Sequence, residues 1–148
     1  MECKIQRIAY LILYMIGISW SASGQISDPA MKKLVAKSVG NLPEGTIFLK
    51  SYQADVLGKG KEWVEHSISL QSGGKYIFSI ADMDHGNSGA LVFVYDRSQH
   101  KMASNYYNGK IYPAFEFQCR GSGVYKVFIA FKDSRAKKAC VAIGRRTN

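Results

Sequence analysis

Cysteine is scarce in this chain, with three in 148 residues, at positions 3, 119 and 140. The sequence contains neither a C-x-x-C pair nor a cluster of histidines and cysteines, which argues against a zinc site. It also lacks a phosphate-binding loop, a zinc-protease helix and a paired-carboxylate motif of recognisable spacing. We therefore expect no cofactor and no enzymatic activity.

Long apolar runs are missing as well. The run at 8–20 is shorter than the roughly 20 residues that a membrane span needs. Lys4 and Arg7 precede it and the small residues 21–24 follow it, which is the order of a secretory signal peptide. We predict a signal peptide over residues 1–24, with an uncleaved anchor as the alternative. The protein is then secreted or periplasmic, with no membrane span after cleavage.

Acidic residues are few, with 11 against 20 lysines and arginines. Removal of residues 1–24 takes away one acidic and two basic residues, which leaves 10 acidic and 18 basic residues and a charge of +8. Such a surface favours an anionic partner, although a basic secreted protein without a charge-driven partner is the simpler alternative. Nucleic acid is not expected, because no recognised binding motif is present.

Two cysteines remain after export, Cys119 and Cys140, and both fall in predicted strands. In an exported chain they predict one disulfide bond, which stabilises by about 3 kcal/mol through the constraint it places on the unfolded chain. The alternative is two buried free thiols.

The remaining 124 residues suffice for one domain. Asp28 and Pro29 have the order of an N-cap and a first helical residue, and Gly40 can end the helix. We predict a short helix within an N-terminal segment at 25–45, followed by a β-sandwich domain at 46–148.

The domain from residue 46 onward is rich in alternating apolar residues and glycine turns. The fold prediction is all-β, an antiparallel two-sheet β-sandwich that is jelly-roll-like and has about seven strands. The strand at 124–131 has apolar residues on both faces, so we expect it to be central and covered on both sides. The predicted strands are 47–56, 63–70, 76–81, 90–95, 111–119, 124–131 and 139–143.

One segment has the pattern of a catalytic serine. The sequence GNSG at 86–89 is similar to the nucleophile segment of chymotrypsin-like proteases, which predicts Ser88 as the nucleophile of a small secreted hydrolase. Only roughly 60 residues separate the signal peptide from Ser88, too few for the upstream barrel that usually supplies the histidine and carboxylate. A glycine-rich turn is the simpler interpretation.

Alternating oxygen ligands occur nearby. Asp82 and Asp84, together with Asp96 after the next strand, form a weak calcium candidate. The distal acidic residue of an EF-hand is missing. The alternative is that these carboxylates accept hydrogen bonds in turns.

The connection at 97–110 is long and polar, and tyrosines lie in or beside it. We predict ligand binding at Tyr106, Tyr107, Lys110 and Tyr112, because loops on a rigid sandwich concentrate binding residues. Exposed aromatics such as these and Trp63 can also stack on sugar rings. The alternative is that the tyrosines cover the sheet edge.

The segment at 63–143 resembles the secreted β-sandwich modules of bacteria known as pre-peptidase C-terminal domains. The matching motifs are GGKYIFSI, ALVFVYD, FEFQC and GSGVYKVFIAF. The resemblance implies a role in secretion, localisation or substrate contact. We therefore predict a non-catalytic binding or accessory module that contacts an envelope, glycan or protein partner.

Overall fold

A computed structural model describes residues 28–83, 89–131 and 137–147, and the predicted signal peptide lies outside this range. Helix α1 (Pro29–Gly40) begins after Asp28, whose Oδ1 accepts a hydrogen bond from the Ala30 amide at 2.9 Å. This confirms the predicted N-cap, which satisfies one of the amides that a helix start leaves free. In the part of the chain that the structure covers, no helix has the length and apolar character to cross a membrane.

Strands account for most of the remaining described residues. They are β1 (Thr46–Asp55), β2 (Trp63–Leu70), β3 (Lys75–Asp82), β4 (Ala90–Tyr95), β5 (Lys101–Ser104), β6 (Tyr106–Tyr107), β7 (Lys110–Ile111), β8 (Ala114–Gln118), β9 (Gly123–Phe131) and β10 (Lys138–Arg146). The predicted strand at 111–119 is divided between β7 and β8 around Pro113, which has no amide hydrogen to donate to a ladder.

The strands form two antiparallel sheets of four. Sheet A has the order β1-β10-β3-β8, and sheet B has the order β2-β9-β4-β5, while β6 and β7 form a separate ribbon. Most consecutive strands of the main sheets alternate between A and B, and this strand order is that of a jelly roll. The predicted antiparallel sandwich is therefore confirmed, with β5 as an eighth strand in the main sheets.

The core lies between the two sheets. Its centre consists of apolar side chains that are 0% exposed, among them Phe78, Val92, Val127, Ile129 and Val141. Along their strands these residues alternate with residues that point to the outer face of each sheet. Burial of such side chains contributes about 1.5–3 kcal/mol each, so this interior is the main source of stability.

Sheet A is also covered on its outer face. Met31 and Leu34 of α1 pack there against Ala81 and Cys140 in a second, smaller cluster. Lys138 joins the two layers, because its Nζ forms ion pairs with the N-cap Asp28 and, at 3.6 Å, with Asp55. Strands β3 and β10 are consequently buried on both faces.

Sheet B differs from sheet A in this respect. Strand β9 is central, as predicted, and lies between β2 and β4. Its second face is not covered as expected, because Val124 is 52% exposed and Lys126 and Phe128 are only half-buried. The outward residues of β2 and β4 are likewise exposed or half-buried. Sheet B therefore presents an open outer face among the residues described.

The predicted disulfide between Cys119 and Cys140 is wrong, since both are free and buried. Cys140 pairs across the ladder with Ala81, whereas the Cys119 amide bonds to Gly74 at 2.9 Å. Seven residue steps lead from Gly74 to Ala81 along β3, or about 23 Å of extended chain at about 3.3 Å per residue. A disulfide needs Cα atoms within about 7 Å, so the fold keeps the two cysteines apart.

Each thiol is instead held in its own environment. The Cys140 Sγ accepts a hydrogen bond from the buried Ser38 Oγ at 3.3 Å beneath the helix. Burial raises the pKa of the Cys140 thiol. The Cys119 thiol donates to the Gly121 carbonyl at 3.2 Å, at the other end of the sandwich.

Candidate binding surfaces

The predicted ligand residues lie on a short ribbon at one edge of the sandwich, the tyrosine hairpin (residues 105–112). Strands β6 and β7 pair with Tyr106 opposite Ile111 and Tyr107 opposite Lys110. Asn108 and Gly109 form the turn, with φ of 48° and 75°. Two consecutive positive φ values are what a type I′ hairpin turn requires, and Asn-Gly is the preferred pair for it.

A buried asparagine anchors the hairpin. The Asn105 side chain is 1% exposed. Its Oδ1 accepts a hydrogen bond from the Val92 amide at 2.7 Å, and its Nδ2 donates to the Ala90 carbonyl at 2.9 Å and the Tyr112 carbonyl at 3.1 Å. The side chain thus replaces a missing ladder partner of β4 and ties both ends of the hairpin to it.

The chain leaving the hairpin is held as well. The Tyr112 amide donates to the Asn105 carbonyl at 2.8 Å, and the Ile80 amide of β3 donates to the Pro113 carbonyl at 2.8 Å. The hairpin is therefore bonded to both sheets, through β4 and β3. Such attachment fixes the orientation of the exposed ribbon before any partner arrives.

The ribbon separates the predicted residues into two groups. Alternation places Tyr107 and Lys110 on one face and Tyr106 and Ile111 on the other. Tyr107 is the most exposed, at 67%, while Tyr106 is 42% exposed. Tyr112, at 43%, lies at the base. The structure thus brings Tyr107 and Lys110 together as a cross-strand pair, with Tyr106 facing the opposite direction.

The calcium candidates are not brought together. Asp82 is buried, and its Oδ2 accepts a hydrogen bond from the Ala90 amide at 3.1 Å, at the start of β4. Asp96 follows the end of β4, about 20 Å away along a six-residue strand. Asp84 lies outside the described residues. Within the ranges that the structure covers, no three acidic, histidine or cysteine side chains form a metal-binding group.

Asp96 has a structural role instead. Its Oδ1 accepts hydrogen bonds from the Ser98 and His100 amides, both at 2.8 Å, in the β4–β5 turn. These bonds, led by that of the His100 amide, lower the pKa of the Asp96 carboxyl. This is the turn-stabilising alternative to calcium binding.

Ser88, the nucleophile of the hydrolase hypothesis, also lies outside the described residues. Two histidines can be located. His66 stacks on Tyr52 with ring centroids 4.4 Å apart and hydrogen-bonds the Gln53 carbonyl at 3.0 Å. His100 contacts Asp96 at 3.3 Å in an exposed turn. The hydrolase hypothesis stays a prediction.

The open outer face of sheet B is a second candidate surface, of which sequence reasoning had named only Trp63. An aromatic strip crosses it: Trp63 lies 5.4 Å from Phe128, and Phe128 lies 5.3 Å from Tyr95 between ring centroids. Phe93 continues the strip 6.5 Å from Tyr95, with the Lys101 ammonium 6.0 Å from its ring. The signal was present, since the outward positions of three strands are aromatic, but only the strand pairing shows that these rings adjoin.

The chain matches no protein-family model and no curated protein. Among solved structures, PliG of Aeromonas hydrophila, a periplasmic lysozyme inhibitor of g-type lysozyme, is similar with a TM-score of 0.45 and 14% identity, over 71% of this chain and 91% of that chain. At this TM-score the similarity supports no inference about function. The resemblance to pre-peptidase C-terminal domains stays a prediction.

Proposed function

We propose that this protein is a secreted, non-catalytic module that binds a protein partner at the cell envelope through the tyrosine hairpin. The observation that carries the proposal is the buried anchoring of an exposed ribbon. The buried Asn105 side chain makes three hydrogen bonds that attach a segment whose Tyr107 is 67% exposed. A ribbon that only covered the sheet edge would bury its aromatic rings instead.

The chemistry of the hairpin suits a protein partner. Tyrosine provides a large, rigid contact area with a polar end, and it is enriched at protein interfaces and among the residues that dominate binding energy. Because the hairpin is already ordered, little conformational entropy is lost when it binds. Lys110 adds a positive charge beside Tyr107, so an acidic contact on the partner is favoured.

The shape of the hairpin indicates how a partner is contacted. Two paired residues on each strand and a two-residue turn make a narrow, convex projection. Such a projection is complementary to a cleft and not to a flat surface. We therefore expect the partner to enclose the two faces of the ribbon, with Tyr107 and Lys110 forming the main contact.

A photo-crosslinking amino acid at position 106, on the opposite face of the ribbon, tests the proposal in cells that produce the protein and leaves Tyr107 and Lys110 in place. We expect it to capture a single envelope or secreted protein. A double variant, Tyr107→Ala with Lys110→Ala, should reduce capture by roughly tenfold or more, as truncation of interface anchors does. Leu57→Ala is the matched control, because Leu57 is 59% exposed in the β1–β2 connection at the opposite edge.

Two outcomes would contradict the proposal. One is a correctly folded double variant that captures the same partner with undiminished yield. The other is a hydrolytic activity of the protein that Ser88→Ala abolishes, which would favour the enzyme hypothesis. Binding of the purified captured partner to the purified protein forms a second assay.

A further inference from the structure

The outer face of sheet B contains a feature that the tyrosine hairpin does not explain. Trp63 is 52% exposed although it is the largest side chain on this face. It lies at the edge of an open depression of about 690 Å³ lined by residues 60–65. This size falls within the range of small-molecule sites, about 300–1,000 Å³.

The depression is built on fixed backbone. Trp63 pairs with Ala130 and Val64 with Ile129 in the β2–β9 ladder. The Glu62 carbonyl, one residue earlier, accepts a hydrogen bond from the Phe131 amide at 3.2 Å. The Trp63 ring rests against Phe128 at an interplanar angle of 47°. One side of the indole is therefore supported, and the exposed side is available to a ligand.

Among the described residues, the charges around the depression cancel. Lys61 and Glu62 line it, as does Glu65, whose Oε1 contacts the Lys126 ammonium at 2.9 Å. Two positive and two negative groups give a local sum of zero, on a chain with a net charge of +9. An ion of either sign is thus not selected. A purely apolar ligand is disfavoured because it would remove water from these charged groups without replacing their hydrogen bonds.

A neutral sugar ring matches both properties of the site. One face of a pyranose consists of C–H groups that pack on an aromatic ring, and its hydroxyl groups donate to carboxylates and accept from ammonium groups. The aromatic strip continues from Trp63 to Phe128 and Tyr95 in steps of 5.4 and 5.3 Å. We propose that the outer face of sheet B binds a neutral oligosaccharide, with Trp63 as the stacking residue. This site is separate from the tyrosine hairpin and goes beyond the protein-binding function.

Fluorescence and calorimetry test the proposal. The chain has two tryptophans, so Trp20→Phe in the full chain leaves Trp63 as the only one. The probes are cellohexaose, chitohexaose and maltohexaose, with anionic polygalacturonate for comparison. We expect a saturable change in Trp63 emission with at least one neutral hexasaccharide. In calorimetry, Trp63→Ala should weaken that binding by roughly tenfold or more, and Trp63→Phe by less.

Tyr107→Ala is the matched control, since it removes an exposed aromatic ring from the other surface. It should leave oligosaccharide binding unchanged, and Trp63→Phe should leave capture of the protein partner unchanged, so the two proposals fail independently. The glycan proposal is overturned if none of the three neutral hexasaccharides binds, if only polygalacturonate binds, or if folded Trp63→Ala and Trp63→Phe variants bind like the parent. It is also overturned if Trp63→Ala instead abolishes self-association measured by sedimentation, because a second copy of the chain would then occupy the face.

Discussion

Replacement of Asn105 by alanine should destabilise the protein more than its position in a surface connection would indicate. The change removes three side-chain hydrogen bonds, two of which go to the Val92 amide and the Ala90 carbonyl. Val92 and Ala90 are both 0% exposed, so water cannot replace the lost side chain there. A buried group without a partner costs about 1–3 kcal/mol. We therefore expect Asn105→Ala to lower the free energy of unfolding by about 2–4 kcal/mol.

Urea unfolding followed by far-ultraviolet circular dichroism measures this loss, with the denaturant slope as a check that the denatured state is unchanged. Asn41→Ala is the matched control. Asn41 is exposed at the end of α1, and its backbone amide bond to the Lys37 carbonyl survives the substitution, so we expect a change within about 0.5 kcal/mol.

An aspartate at position 105 separates the donor from the acceptor role. Asn105→Asp retains an acceptor for the Val92 amide but directs a carboxylate oxygen at the Ala90 and Tyr112 carbonyls. A carboxyl in this position has a raised pKa in the folded state, so its destabilising effect should decrease as the pH falls and protonation restores a donor. If Asn105→Ala unfolds within about 0.5 kcal/mol of the parent, the anchoring argument is refuted.

Three further predictions concern the rest of the fold. Hydrogen bonding to Lys138 lowers the pKa of Asp28, and the same bond raises the pKa of Lys138. The stability that this ion pair contributes should be complete in the neutral range, lost as acid protonates Asp28 and lost again as alkali deprotonates Lys138. The free energies of unfolding of Lys138→Met and the parent, measured in urea, should therefore converge at low pH, and a constant difference would contradict the ion pair. Because Cys119 and Cys140 are free, a reductant should leave the unfolding midpoint unchanged, whereas loss of a disulfide would lower stability by about 3 kcal/mol. Burial raises the pKa of Tyr125 to about 12, and its hydroxyl donates a hydrogen bond to the Gly121 carbonyl at 2.6 Å. This hydroxyl should contribute about 1 kcal/mol to the free energy of unfolding at neutral pH, and the contribution should be lost as the pH rises from about 10 through 12. Urea unfolding of Tyr125→Phe and the parent at pH 7 and 11 measures the contribution.

Local features of the sequence determined the secondary structure and the fold class. The N-cap and proline at the start of α1 depend only on adjacent residues, and so does the strand alternation around Val127. An Asn-Gly pair likewise defines the turn of the tyrosine hairpin. Such signals act within a few residues, because helix and strand periods and turn dihedrals are properties of the local backbone. The antiparallel sandwich was therefore predictable.

Pairing between distant strands decided the remaining features. The register along β3 and β10 places Cys119 and Cys140 far apart, although Cys140 lies in β10 and Cys119 directly follows β8. The length of β4 separates Asp82 from Asp96 in the same way. The placement of α1 on sheet A covers one outer face and leaves the other open.

Asn105 illustrates the limit of sequence reasoning most clearly. In the sequence it is one polar residue in a polar connection, yet in the fold it is 1% exposed and completes the ladder of β4. Which backbone groups lack a ladder partner depends on where β5 ends relative to β4, and this follows from sheet pairing alone. The sequence determined that the tyrosines would lie in a surface connection, whereas the tertiary structure determined that this connection is anchored, because only folding brings Val92 and Ala90 to the Asn105 side chain.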